Sequence, residues 1–321
     1  MDNLSHPVFR RLINATLPAG TQMAYFSPAI NPNSVLTKKP NLKENLPINP
    51  GEILYYNLMH GDPDIIIAGM EKMLEFNPAG FNLNCGCPRA KIQKAGKCPI
   101  GVALMDYPAQ VAAIVKAAKK TFPAVHFSIK IRVGRRHDLP ALYDFCEQAE
   151  DAGCDAIIFH ARSAEDQFKR PARHTLFGEL KQRLSIPLIG NGDIITDEQA
   201  IAIKQKYGLD GIMIGRGALL TPGIFRAIAY RLAGKPLSHP VMSWKEKKDF
   251  LIQFVQDMET EFGTPVMLRR TRLFARWLCK GLEFGHTLES NLYKAKTAED
   301  TLATVNNFFE KPKKQYSEVI L

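Results

Sequence analysis

Residues 79–105 read Ala-Gly-Phe-Asn-Leu-Asn-Cys-Gly-Cys-Pro-Arg-Ala-Lys-Ile-Gln-Lys-Ala-Gly-Lys-Cys-Pro-Ile-Gly-Val-Ala-Leu-Met. The run Phe81–Asn84 has strand character and stops abruptly at Cys85-Gly86-Cys87-Pro88. Gly86 permits a sharp bend, and Pro88 forbids continuation of the strand. A loop rich in Lys and Gly follows. Cys87 is therefore presented at the end of a strand, where parallel barrel enzymes keep their chemistry. The competing reading is a small buried core thiol, since free Cys is among the most buried residue types. The turn residues and polar neighbours favour a functional thiol.

Outward from this stretch, short apolar runs alternate with helical segments. Strands are expected at Thr21–Ile30, Ile53–Leu58, 80–84, His126–Val133, Ala156–His160, Leu188–Gly190 and Gly211–Ile214. Helices are expected at Pro7–Ala15, with Ser5 as cap, and at Asp62–Phe76, Pro108–Phe122, Leu139–Asp151, Leu176–Leu184, Thr196–Tyr207 and Pro222–Leu232. Residues 31–51, rich in Pro, Asn and Lys, read as a long loop. Alternation of this kind predicts an α/β fold of the TIM (β/α)8 type. The count gives seven strands, and the first element is a helix, so the first barrel strand is expected to be missing. Beyond Gly234 the pattern changes to helices alone. The expected domains are a barrel over 1–233, a helical domain over 241–310, and a basic tail over 311–321.

The chain has 321 residues, 45% of them hydrophobic, with 42 Lys plus Arg against 32 Asp plus Glu, a net charge of +10. That excess suits a polyanionic partner such as nucleic acid, although many basic proteins bind none. No apolar run reaches the roughly 18 residues of a membrane span, so no membrane partner is expected. The start carries no signal-peptide pattern. Six cysteines without regular spacing suggest a reduced, cytoplasmic protein, taken as a monomer. Cys85, Cys87 and Cys98 lack the second CxxC or nearby His of a zinc set, so no metal is expected.

Lys130 and Arg132 are two apart on one strand and face the same way. Two such cations call for an anionic or polar partner, either a ligand or an internal carboxylate. His160-Ala161-Arg162 ends another strand; His160 is a candidate ligand contact or a satisfied structural residue. The loop 167–174 mixes cations with Phe168 and suits RNA phosphate and stacking contacts, or merely solvent. Asn191-Gly192-Asp193 and Gly215-Arg216-Gly217-Ala218 follow the last two strands, where barrels commonly bind phosphate. In the helical region, residues 267–282 read as one helix. Arg269, Arg272, Arg276 and Lys280 form a basic stripe there, opposite Met267, Thr271, Phe274, Leu278 and Leu282. An acid-free stripe leans toward nucleic-acid phosphate, a solvated face being the alternative.

These motifs together resemble those of bacterial tRNA-dihydrouridine synthases: Leu83-Asn84-Cys85-Gly86-Cys87-Pro88, Lys130-Ile131-Arg132-Val133-Gly134, His160-Ala161-Arg162, Asn191-Gly192-Asp193 and Ile214-Gly215-Arg216-Gly217-Ala218. The cysteine motif looks most like the class C branch. The resemblance implies an FMN-bearing barrel, NADPH as reductant, and a helical domain that binds tRNA. It implies reduction of a D-loop uridine, with hydride delivered to C6 and a proton from Cys87 to C5. An ordinary thiol, with a pKa of about 8.5, carries the proton such a step needs. Carried over by motif, the FMN contacts are Lys130, His160, Asn191, Gly192, Asp193, Gly215 and Arg216, with Met1 and Asn57 at its border. Asn84 and Arg132 match residues near the target uracil; Lys169, Arg269, Arg272 and Arg276 are the expected tRNA contacts. The chain departs from the family at four places. Met1 aligns with the last residue of an Ala-Pro-Met strand end. Asn57 replaces a Gln, and Ala161 replaces a Gly. Lys94-Ala95-Gly96-Lys97-Cys98-Pro99 replaces a Gly-rich segment. Two other readings stay open: a tRNA-binding protein that lost catalysis with its first strand, and an FMN barrel acting on a small molecule.

Overall fold

The computed structural model describes residues 4–37, 46–88, 98–167, 169–235 and 241–310. The chain divides into two compact units. Gln22–Ile194 with Ala200–Ile214 form a barrel-like unit; Met1–Thr21, Ile195–Gln199 and Gly215–Leu321 form a helical unit. The stretch before the first strand and residues 215–233 thus pack with the C-terminal helices, where the sequence placed them in the barrel.

The barrel-like unit is a curled sheet of seven parallel strands in chain order. They are β1 (Ala24–Ile30), β2 (Ile53–Leu58), β3 (Gly80–Cys85), β4 (His126–Ile131), β5 (Ala156–His160), β6 (Leu188–Asn191) and β7 (Gly211–Met213). The expected strands are all present, with ends displaced by a few residues. Its helices α2 (Pro32–Leu36), α3 (Pro63–Leu74), α4 (Pro108–Thr121) and α5 (Leu139–Asp151) each carry Pro in the first turn. There the missing N–H of Pro is no loss. Asp62 and Asp138 cap α3 and α5. Helix α6 (Thr175–Lys181) and most of α7 (Asp197–Tyr207) complete the layer. The loop expected over 31–51 is corrected by α2: Asn31 Oδ1 accepts from Asn33 N–H at 3.0 Å and starts a turn that Pro32 favours.

Alternation along the strands separates two faces. Leu54, Tyr56, Phe81, Leu83, Cys85, Phe127, Ile129, Ile131, Ile157 and Phe159 are buried in one core with apolar residues of the helices. The other face is polar. Asn57 lies opposite Asn82, and Asn82 opposite Ser128. Asn84 lies opposite Lys130, and His160 opposite Asn191. In a barrel this second face is the interior, whose C-terminal mouth carries function.

The helical unit contains α1 (Pro7–Ala15), α8 (Arg216–Leu220), α9 (Ile224–Leu232), α10 (Trp244–Phe262), α11 (Thr264–Leu278), α12 (Gly285–Lys294) and α13 (Ala298–Glu310). Its core is aromatic: Phe274 stands 5.4 Å from Phe9 and 5.1 Å from Phe254, ring centre to centre. The cap of α1 is His6, whose Nδ1 accepts from Phe9 N–H, rather than Ser5. The helix expected over 267–282 is corrected to α11 followed by a 3-10 turn, Cys279–Gly281. Gly263, at φ 75°, breaks the chain between α10 and α11. No described helix is long and apolar enough to cross a membrane.

Candidate active site

The cysteine turn after β3 is built by a side chain. Asn84 Oδ1 accepts from Gly86 N–H at 3.1 Å and from Cys87 N–H at 3.0 Å. This Asx turn reverses the chain as soon as β3 ends. Gly86 does not take a positive φ, so the bend expected of it comes from Asn84 instead. What Gly86 supplies is close approach: a Cβ there would lie 3.4 Å from Lys130 O. Arg132, almost wholly buried, donates from Nε to Gly86 O at 2.8 Å and from Nη1 to Ser163 O at 3.2 Å. Val102 N–H donates to Cys87 O at 3.2 Å. Cys87 is half-buried on this braced turn. Cys85 points into the apolar core, where burial pushes its thiol far up, and it is structural.

Lys130 Nζ donates to Asn191 Oδ1 at 3.1 Å, and Asn191 Nδ2 donates to Met213 O at 2.8 Å. The partner of Lys130 is thus an amide oxygen, not the carboxylate that was the alternative. Burial first, and the nearby Arg132 second, push the Lys130 ammonium down to about 7, with the Cys87 sulfur opposing. Lys130 pairs across the sheet with Asn84, the residue that holds the Cys87 turn.

Gly192 and Asp193 have φ of 123° and 50°. A Cβ on Gly192 would stand 2.8 Å from His160 Cδ2 and 2.9 Å from Ala172 Cβ, so only glycine lets this turn lie against the His160 ring. Asp193 Oδ2 accepts from Arg162 Nη2 at 2.5 Å and from Ala172 N–H at 2.8 Å. His174 Nε2 is 2.8 Å from Gly192 O. Sequence reasoning missed Ser163 and Asp166. Asp166 accepts from Ser163 Oγ at 2.7 Å and from Arg173 Nη1 at 2.6 Å. The hydrogen bond from Arg173 leads in holding its carboxyl well below the usual range. The signal was the acidic pair Glu165-Asp166 ahead of the cations of loop 167–174. Part of that loop's charge is thereby internally balanced, while Lys169 remains exposed. Phe168 lies outside the described residues.

Asn57 N–H donates to Ser27 Oγ at 3.0 Å, and its side-chain Oδ1 is buried without a hydrogen-bond partner among the described residues. Phe26 stacks on Tyr55 on the same face, 5.3 Å apart. Met1 lies outside the described residues. Gly215 and Arg216 belong to the helical unit, as the cap and first residue of α8. The Arg216 guanidinium stands 5.9 Å from the centre of the Trp277 ring. On α11, Arg269 and Arg276 are exposed and Met267, Thr271, Phe274 and Leu278 are buried, the two faces expected. Arg272 differs from its neighbours: its Nε and Nη2 donate to Leu292 O at 3.3 Å and Ala295 O at 2.8 Å, tying down the end of α12. No group of three or more His, Cys, Asp or Glu among the described residues is placed to hold a metal ion.

A half-buried thiol on a turn clamped by Asn84 and Arg132, beside a lysine of depressed basicity, can donate a proton to a neighbouring acceptor. The model of the dihydrouridine synthase family matches residues 1–313. The chain belongs to the dihydrouridine synthase family. It is 28% identical over 248 residues to tRNA-dihydrouridine synthase B of Pasteurella multocida, covering 77% of this chain and 73% of that one. With the synthase B of Pectobacterium carotovorum it shares 27% identity over 310 residues, 97% of this chain and 94% of the other. A probable tRNA-dihydrouridine synthase 1 of Synechocystis is 28% identical over 297 residues, 91% of this chain and 80% of that one. Two of these relatives carry the B designation, where the cysteine motif had suggested class C. Among solved structures, a FabK mutant of Thermotoga maritima is similar at 11% identity over 69% of this chain and 61% of that one, with a TM-score of 0.42.

Proposed function

We propose that this member of the family reduces a D-loop uridine of tRNA to 5,6-dihydrouridine, with FMN as its cofactor and NADPH as the reductant. The observation that carries the reading is the Asn84-built turn that presents a half-buried Cys87 at the end of β3, with Lys130 opposite Asn84 on β4. The residues present suit a flavin. The buried Oδ1 of Asn57 awaits a donor, and Gly192 lets its backbone lie against the His160 ring. Lys130, Asn191 and Asp193 add polar atoms at neighbouring strand ends. Lys130, His160, Asn191, Gly192, Asp193 and Asn57 would hold FMN, with Gly215 and Arg216 carried over by motif for its phosphate. Held by these residues, FMN would supply the hydride chemistry at C6 of the uracil. Cys87 Sγ–H gives its proton to C5. Lys130 and Arg132 put positive charge near the uracil carbonyls, where negative charge builds. Arg132 also fixes the height of the Cys87 turn through Gly86 O. The uridine leaves its stack at a cost of a few kcal/mol, offset by phosphate contacts. Arg269, Arg276 and Lys169 are exposed for that role; Arg272 contributes mainly by holding α12.

The test is dihydrouridine content, by mass spectrometry, of unmodified tRNA incubated with the protein, FMN and NADPH. Product is expected, and Cys87→Ala should lower its rate by about a hundredfold or more with tRNA binding retained. Flavin-loaded protein that binds tRNA but makes no product would refute the reading in favour of a binding protein. Flavin reduction without tRNA binding would point to a small-molecule substrate.

A further inference from the structure

Phe284 precedes α12 as its cap, with φ 55° and ψ 23°, and is 56% exposed. Left-handed backbone is disfavoured for a bulky side chain; Gly or Asn takes it readily. An exposed phenyl ring also gives up the gain of burial. The surrounding turn imposes both. Gly285 N–H donates to Leu282 O at 3.0 Å, and Thr287 donates from N and Oγ to Phe284 O at 2.9 and 2.8 Å. A Cβ on Gly285 would fall 2.0 Å from Cys279 O, so the turn is folded hard against the residue before Lys280. Strain that neighbouring structure over-determines in this way marks a functional position.

The neighbourhood says what such a ring meets. Arg276 and Lys280 are exposed in the turns just before it. Lys280 Nζ stands 4.7 Å from the Trp277 ring centre, and the His286 ring is 6.5 Å from Phe284. An exposed aromatic that closely follows two exposed cations in the chain matches an unstacked base flanked by phosphates. An acidic peptide would use the cations and leave the ring without a purpose.

We propose that Phe284 is a stacking residue for an unpaired nucleobase of the bound RNA, with Lys280 and Arg276 taking adjacent phosphates. The proposal rests on the tRNA reading above and adds a contact that this reading does not contain. Its test is the affinity of the full chain for an unmodified tRNA transcript over a series of salt concentrations. Phe284→Leu and Phe284→Asn should weaken binding about tenfold, as loss of one stacking aromatic does, without changing the salt slope. Phe284→Tyr should stay within about twofold of the parent. Lys280→Gln should instead flatten the slope by about one phosphate contact. Phe284→Asn should melt at or above the parent temperature, because Asn tolerates this backbone and suits a helix cap. Parental affinity in the Leu and Asn variants would overturn the proposal, as would a loss that Tyr fails to rescue. A parent that binds no tRNA would sink both readings; a parent that binds and reduces tRNA, with Phe284→Leu unaffected, would sink this one alone.

Discussion

Lys130→Met removes the charge of Lys130 while keeping a chain of similar length. In the folded protein burial, then Arg132, hold the ammonium at about 7 against an ordinary 10.5. At about 1.4 kcal/mol per unit, the full shift disfavours the folded state by about 5 kcal/mol when both states are protonated. The sign follows from proton counts. Below pH 7 Lys130 is charged in both states and the whole penalty applies. Between 7 and 10.5 the unfolded chain binds the proton and the folded chain does not, so stability rises with pH. Above that range the penalty is gone. The substitution should therefore help most at pH 6 and less at pH 9, by roughly 2–3 kcal/mol. Loss of the hydrogen bond to Asn191 costs about 1 kcal/mol at either pH and cancels in the comparison. Urea unfolding of parent and variant at the two pH values, followed by circular dichroism, measures it. A stability difference that is equal at both, or larger at pH 9, would refute the claim that Lys130 is held uncomfortably as a cation. A lysine in that state gains from an anionic partner, which links its burial to the proposed chemistry.

Three further outcomes follow from the same geometry. Asn84→Ala removes the acceptor of both Gly86 and Cys87 N–H; it should cost about 1–2 kcal/mol and lower dihydrouridine formation although the thiol remains, read from melting curves beside the tRNA assay. Gly192→Ala must push its methyl into the His160 ring on a positive-φ backbone; a loss of about 2 kcal/mol or more is expected, together with weaker flavin retention measured by absorbance of the purified protein. Asp166 has its carboxyl held low by Arg173 and Ser163, so its contribution is present above the unfolded pKa and fades as pH falls through the folded one. Asp166→Asn should then be less stable than the parent by about 1–3 kcal/mol at pH 7, and the gap should persist down to the ordinary carboxylate value of 3.8 and narrow only as the pH falls below it.

The seven strands were legible because each is a short apolar run between turn residues, and parallel strands covered by helices write that pattern plainly. Helix starts were legible where Pro and a capping Asp coincide, as at Asp62-Pro63. Asn31-Pro32 carries the same signal, yet the Pro- and Asn-rich composition around it hid α2. Cys87, Lys130, His160 and Asn191 could be placed at strand ends by counting along strands. Contacts made across the fold could not be counted. The bracing of the cysteine turn by Arg132, the balancing of Arg173 by Asp166, and the use of Arg272 on the carbonyls of α12 depend on where separate segments meet. The stripe on α11 shows the limit: helical spacing sets which side chains share a face, but not which of them a neighbouring helix end has already engaged.

Local order along the chain determined the kind of fold, the family and the order of the candidate residues, since periodicity and motif spacing are properties of neighbours in sequence. Tertiary structure alone decided that Cys85 is inert core and Cys87 a presented thiol, and that Phe284 is held outward on strained backbone. It also decided that Lys130 faces an amide rather than a carboxylate. Burial, electrostatic environment and hydrogen-bond partners arise from residues far apart in the chain, and no local pattern encodes them.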